Sequence, residues 1–285
     1  MNCNVNTLGA SPTAADDGWL ASLDLQICQR GEKSVVSRSR QTGPLTIQSP
    51  FYPENGVCHL YLLHPPAGIV GGDRLRLTVS AEENCSALVT TPGATKFYKT
   101  NGNPAHQEQV FSVADGATFE WLPQETIYFP DTNAQLTTSV QLEGSAKYLG
   151  WEINCLGLPA NQKGFGFGRA RIKLFVIRGG TPVLSESLHI SNDKRPFQAA
   201  FLQNQSVFAT FIATGGTPEL LDILRDRMTR KEYGLWAATL VEDVIIIRYL
   251  GGSTIQARKL FVASWKVLRP LVLGKEAVLP RIWAT

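Results

Sequence analysis

Two acids stand where strand alternation calls for apolar side chains. In Gly72-Asp73-Arg74-Leu75-Arg76-Leu77-Thr78-Val79, a period of two puts Asp73 on the face of Leu75, Leu77 and Val79. In Leu184-Ser185-Glu186-Ser187-Leu188-His189-Ile190, Glu186 shares its face with Leu184, Leu188 and Ile190. A buried carboxylate is expensive unless something compensates it. Two readings follow. Each acid is a carboxylate at a strand end, satisfied by an arginine or by backbone N–H groups, or the acids line a wet internal passage that handles cations.

Other chemistry-bearing residues are sparse. The histidines are His59, His64, His106 and His189. Cys58-His59 with His64 suggests a soft metal site, but neighbours on a strand point to opposite faces, so no tight metal site is expected there. Gly164-Phe165-Gly166-Phe167-Gly168 precedes a strand rather than a helix, so it lacks the helix N-terminus that cradles phosphate. Ser191-Asn192-Asp193-Lys194 fits SxxK but sits in a polar loop before Pro196, a chance match. GxxxxGK[ST], HExxH, GxSxG and the EF-hand loop are all missing. No complete catalytic apparatus is present, and a non-enzyme is expected.

The elements that must position these residues are mostly strands. Leu23, Leu25 and Ile27 alternate with polar neighbours, as do Ala170, Ile172, Leu174 and Val176. Ala114-Asp115-Gly116, Glu143-Gly144-Ser145 and Arg178-Gly179-Gly180 read as turns. Two helices are expected late in the chain. One starts at Thr217-Pro218-Glu219, an N-cap followed by a proline at the first helical position, and fades near Arg230. The other runs from about Ile255 to Leu273, with Pro270 kinking its end and Gly274 stopping it. Its apolar face is wide enough for one side to pack on the β body while Phe261, Trp265, Leu268 and Val272 meet a partner. The reading that the whole stripe is core stands equally open. The sum is one β-rich domain, residues 19–285, closed by two helices and preceded by a loose tail, residues 1–18.

Composition narrows the function classes. The 285 residues carry 27 Lys plus Arg against 24 acids, a net charge of +3, too weak a bias for a dedicated nucleic-acid binder. No apolar run approaches the roughly 18 residues of a membrane span. Residues 1–18 hold Asp16 and Asp17 and no basic residue, unlike a secretory signal. The five scattered cysteines, without CxxC, argue against a disulfide framework. A cytoplasmic protein is expected.

At His64-Pro65-Pro66-Ala67-Gly68-Ile69-Val70-Gly71-Gly72-Asp73 the sequence resembles the UreD (UreH) family of urease accessory proteins. Thr90-Thr91-Pro92-Gly93-Ala94-Thr95-Lys96-Phe97-Tyr98, Trp121-Leu122-Pro123-Gln124-Glu125, Gly150-Trp151-Glu152 through Gly157, Phe165-Gly166 and Pro280-Arg281-Ile282-Trp283-Ala284-Thr285 are similar to further hallmarks of that family, in the same order. Leu158 departs from it by replacing an arginine, and Ala67 replaces a glycine.

The resemblance implies a non-enzymatic scaffold with a helical-β, solenoid-like body and two helices. It implies partners: UreF, through it the GTPase UreG, and the urease apoprotein. It implies transient Ni²⁺ rather than a tightly bound cofactor, travelling through an internal channel. Asp73, Thr95, Glu152 and Glu186 match the proposed channel lining. Alternation selects Asp73 and Glu186 independently, whereas the inward placement of Glu152 rests on the resemblance alone. Two other classes are kept beside this one: a small-molecule hydrolase on a β scaffold, and a carbohydrate-binding module using Trp121, Trp151 and Trp236 as stacking platforms.

Overall fold

The computed structural model describes residues 18–66, 68–100, 102–191, 201–228 and 230–284. The tail expected at the N-terminus lies outside them except for Gly18, as do Ala67 and, Ser191 excepted, the SxxK match.

The chain first forms β1 (Leu20–Arg30), β2 (Lys33–Thr42), β3 (Thr46–Ile47), β4 (Cys58–Leu63), β5 (Arg74–Ala81) and β6 (Ser86–Thr90). It continues through β7 (Thr95–Phe97), β8 (Ala105–Val113), β9 (Thr118–Trp121), β10 (Thr126–Tyr128), β11 (Asn133–Leu142) and β12 (Lys147–Leu156). Then come β13 (Arg169–Arg178), β14 (Thr181–Ser191), β15 (Val207–Thr214), α1 (Pro218–Arg227), α2 (Arg230–Tyr233), β16 (Leu235–Val241), β17 (Val244–Gly251) and α3 (Thr254–Leu273).

From β4 to β13 the chain repeatedly crosses between two sheets. β5, β8, β11 and β13 pair in parallel in one sheet, while β4, β6, β9 and β12 pair in parallel in the other. Such alternation winds a two-sheet coil, the solenoid-like β body that the family resemblance implies. Antiparallel strands extend its ends: β1 with β2, β13 with β14, and β12 through β15 and β17 to β16. Among the described residues the sheets have seven and ten strands.

Strand alternation now has a physical meaning. Leu23, Leu77, Phe111, Val140 and Val176 from the first sheet meet Leu60, Val89, Phe119 and Tyr148 from the second in one buried core between the sheets. The opposite face of the ten-stranded sheet contributes Leu149, Trp151, Ile153 and Phe211 to a second core beneath α1 and α3. β12 therefore has both faces covered: its odd residues face the helices and its even residues face the interior of the coil.

The helices begin and end where their caps dictate. Thr217 Oγ1 accepts the Leu220 N–H at 3.3 Å, with Pro218 at the first helical position. Ser253 Oγ does the same for the Gln256 N–H ahead of α3. Gly274, at φ +66°, takes the left-handed cap, and its N–H reaches the Pro270 carbonyl at 3.0 Å. The four-residue α2 was not foreseen.

Phe261, Trp265 and Leu268 of α3 are 0% exposed and Val272 is 3% exposed. The sequence-based placement of these four against a partner is thereby corrected. The apolar stripe is wide because the sheet beneath it and the C-terminal segment beside it cover it from two sides. Trp283 of that segment lies 5.7 Å from the Trp151 ring and 6.1 Å from the Trp265 ring.

Candidate functional site

Polar side chains occupy one stretch of the otherwise apolar interior, and strand register explains how they meet. In the seven-stranded sheet, Leu77, Gln109, Thr138, Leu174 and Glu186 form one row across β5, β8, β11, β13 and β14. In the opposite sheet, Glu152, Thr210 and Arg248 form a row across β12, β15 and β17. Two bridges join the rows across the interior. Thr138 Oγ1 lies 2.5 Å from Glu152 Oε1, and Arg248 forms a two-pronged ion pair with Glu186, its Nη1 lying 3.2 Å from Oε2.

Thr138 also lies 3.1 Å from Gln109 Oε1. A hydroxyl has one proton and cannot donate to both neighbours. The arrangement is satisfied when Glu152 is protonated, donates to Thr138, and leaves the Thr138 proton for Gln109. Burial pushes the Glu152 carboxyl up to about 7; the Thr138 hydrogen bond works against this and the charge on Glu186 adds to it. Burial, and secondarily Glu152, also raise the phenols of Tyr128 and Tyr148 well above their ordinary value. Tyr128 donates to Asn154 Oδ1 at 3.0 Å. Glu152, Asn154, Glu186, Thr210 and Arg248 line a cavity of about 510 Å³.

A second cavity, of about 220 Å³, lies one row further along the interior. His64, Thr91, Thr95, Lys96 and Gln107 contribute its polar lining, and Leu62 and Leu75 part of its apolar lining. Gln107 and Gln109 are two apart on β8, hence on the same inward face, so that strand links the two cavities. Facing Gln107 across the coil, Thr95, Thr126 and Asn154 are paired in one row of β7, β10 and β12. His64 Nε2 and Gln107 Oε1 are buried without a partner among the described residues. Burial lowers the His64 imidazole below its ordinary pKa, with Asp73 acting in the opposite direction.

The sequence-derived acids therefore separate. Asp73 is 2% exposed, but β5 begins one residue later, and its carboxylate accepts the backbone N–H groups of Val70 (3.0 Å) and Trp19 (3.3 Å). It secures a strand end and lines neither cavity. Glu186 faces inward and shares its cavity with Glu152, while Thr95 belongs to the other cavity. Cys58 belongs to the inter-sheet core, whereas His59 Nε2 lies 2.7 Å from Glu54 Oε1, as opposite faces of β4 require. Trp121, Trp151 and Trp236 are 2%, 1% and 6% exposed, so they serve as core and not as stacking platforms. Gly166, at φ +63°, belongs to the loop before β13. Leu158 exchanges backbone hydrogen bonds with Lys163 around a single helical turn at Pro159–Asn161.

One charged cluster escaped the sequence reading. Arg269 of α3 is 0% exposed. Its Nη2 lies 2.7 Å from Glu54 Oε1 and 2.9 Å from Glu120 Oε1. Trp265 Nε1 donates to Glu120 Oε2 at 2.6 Å. Burial would raise the Glu54 carboxyl, but His59 and Arg269 hold it below its ordinary range. Burial would lower the Arg269 guanidinium, but Glu120 and then Glu54 hold it up. A signal was available: Arg269 lies four residues after Trp265, on the buried stripe of α3.

The chain as a whole has close counterparts among known sequences. The family model described as UreD urease accessory protein matches residues 20–284. The urease accessory protein UreD of Alcanivorax borkumensis is 40% identical over 278 residues, covering 96% of this chain and 95% of that protein. The proteins of the same name from Citrobacter koseri and Klebsiella aerogenes are each 40% identical over 269 residues, covering 94% of this chain and 92% and 97% of theirs. A match over nearly the whole coil and both longer helices is that of a maturation factor and not of an enzyme: the chain belongs to the UreD family of urease accessory proteins.

Proposed function

We propose that this urease maturation factor binds UreF, engages the GTPase UreG through it, and passes Ni²⁺ through its polar interior toward the urease apoprotein. Nickel is cargo here, held transiently by isolated donors and not as a resident cofactor. Isolated carboxylates, hydroxyls and carboxamides bind Ni²⁺ far more weakly than a cluster of imidazoles and thiolates. Weak binding suits a conduit, because an ion that enters must also leave.

The single observation that supports the reading is the line of inward polar groups from Thr95 and Gln107, through Gln109, Thr138 and Glu152, to Glu186. An interior built only for stability would fill those positions with apolar side chains, as the neighbouring rows do. Asp73 stands beside His64 at the edge of this line, where it sets the turn rather than contacting cargo. No helix among the described residues is long and apolar enough to cross a membrane. The buried free thiols Cys58, Cys85 and Cys155 suit a reducing cytoplasm.

The test is ordered reconstitution with the tagged full chain. UreF should be retained directly, UreG only when UreF is present, and apo-urease by the resulting assembly. Retention of UreG without UreF would contradict the proposed order.

A further inference from the structure

We propose that the outer face of the seven-stranded sheet is a docking surface for an acidic protein surface, centred on Arg169, Arg171 and Lys173 of β13. The proposal rests on the reading that this chain assembles with other proteins, and it is independent of any passage through the interior.

Alternation in β13 buries Ala170, Ile172 and Leu174 and turns the three cations outward. They stand in one file, roughly 7 Å from one to the next along the strand. The neighbouring strands offer them no counter-charge. Register sets Asn133, Gln135 and Thr137 of β11 on one side and Ser191, His189 and Ser187 of β14 on the other. None of the three cations has an ion pair among the described residues. The far end of the same face is built differently. There Arg40 stands in register with Asp24, and Arg76 lies 3.4 Å from Glu108. Three like charges in a file repel one another within the Debye length of about 8 Å. A row of carboxylates on a partner relieves that repulsion and is steered toward it.

The face has the size and composition of an interface. α1 and α3 pack on the outer face of the ten-stranded sheet, whereas Arg169 and Arg171 are exposed on the seven-stranded one. Seven strands about 4.8 Å apart make it roughly 30 Å wide, enough for the roughly 800 Å² that a standard interface takes from each partner. Beyond Lys173 the outward file continues into Phe175 and Ile177, both half-buried. Arginine beside aromatic and aliphatic side chains is the composition of an interface centre. A second copy of this chain would meet the stripe with like charge, and a net charge of +3 disfavours a nucleic acid.

The test is zero-length carbodiimide coupling of the full chain assembled with UreF and apo-urease, because this reagent joins an ammonium to a carboxylate only where the two touch. Peptide mass spectrometry should find Lys173 joined to an Asp or Glu of another protein, and high salt during coupling should abolish the product. Lys173→Arg should keep the assembly and lose the cross-link. Reversing the stripe with Arg169→Glu, Arg171→Glu and Lys173→Glu together should weaken retention of the partner at least tenfold, while Lys33→Glu at the β1–β2 turn should change it less than twofold. Assembly with Lys173 uncoupled, or retention unchanged by the triple reversal, would overturn the surface. Single-stranded DNA bound by the parent chain and lost by the reversal, with protein assembly intact, would overturn it too. The coupling needs no variant, so a reversal that fails to fold does not shield the proposal. Failure of the parent chain to assemble at all would sink the proposed function, whereas assembly with Lys173 uncoupled sinks this surface alone.

Discussion

The molecule holds two sets of inward-facing acids, and they are treated in opposite ways. Beneath α3, Glu54 and Glu120 enclose Arg269, with His59 and Trp265 donating the remaining hydrogen bonds. Every carboxylate there faces a cation or a donor, and nothing is left to bind. Between the sheets, Glu152 shares a cavity of about 510 Å³ with Glu186, and Arg248, the arginine among the described residues that lines it, is half exposed and pairs with Glu186. The first cluster fastens a helix to a sheet. The second leaves a carboxyl whose ionisation is suppressed by burial and by its neighbour, at the wall of a cavity. Similar residue types are structural where their charges are matched and available where they are not.

The largest expected effect is in the matched cluster. Arg269→Ala strands the buried Glu120 carboxylate and leaves Glu54 with His59 only, and should cost about 3–5 kcal/mol of unfolding free energy in denaturant titration. A loss below about 1 kcal/mol would mean that water reaches Glu120 and would erase the contrast. Trp265→Ala should cost a similar amount, about 3–5 kcal/mol, through the cavity it leaves and the donor it removes from Glu120. Weakened partner binding with unchanged stability would return this residue to the surface.

The next effect is a pH dependence confined to the unmatched acid. Burial pushes the Glu152 carboxyl in the folded chain up to about 7 from its ordinary 4.5. Between those values the unfolded chain has released its proton while the folded chain still holds it. Stability contributed by this group is therefore complete below about pH 4.5, falls as pH rises, and levels off above about 7, for a total on the order of 3 kcal/mol. Unfolding titrations from pH 5 to 8 should show this slope, and Glu152→Gln should flatten it. An unchanged slope in the variant would place the proton elsewhere.

The smallest stability effect is at the Glu186–Arg248 pair. That pair is partly solvated, with its side chains 24% and 52% exposed, so Glu186→Gln should change unfolding free energy by less than about 1 kcal/mol. A loss of several kcal/mol would make Glu186 a second Glu120, a structural acid.

The line between what was legible in the sequence and what was not follows the same contrast. Period-two alternation located β1, β5, β13 and β14 and turned Glu186 inward, because side-chain direction is local. The same rule buried Asp73 but could not show that the strand starts at Arg74 and that two backbone N–H groups wait for its carboxylate. Pairing order is non-local, so the register that sets Glu152 opposite Thr138 could not be read from one chain. The stripe on α3 showed that much surface must be covered, but not that the sheet and the C-terminal segment would cover all of it. Arg269 was hidden by its apolar neighbours, and its partners come from positions 149 and 215 residues away.

The proposed role of the two inward acids, Glu152 and Glu186, is to pass cargo. The most direct measurement is nickel per urease active site after activation by the complete accessory complex carrying Glu152→Gln with Glu186→Gln, at limiting nickel, beside Tm and complex assembly for the same protein. The account predicts normal assembly, a Tm no lower than that of the parent chain at pH 7.5, and nickel content and urease activity falling together. Full nickel loading by a folded, assembled double variant would contradict it.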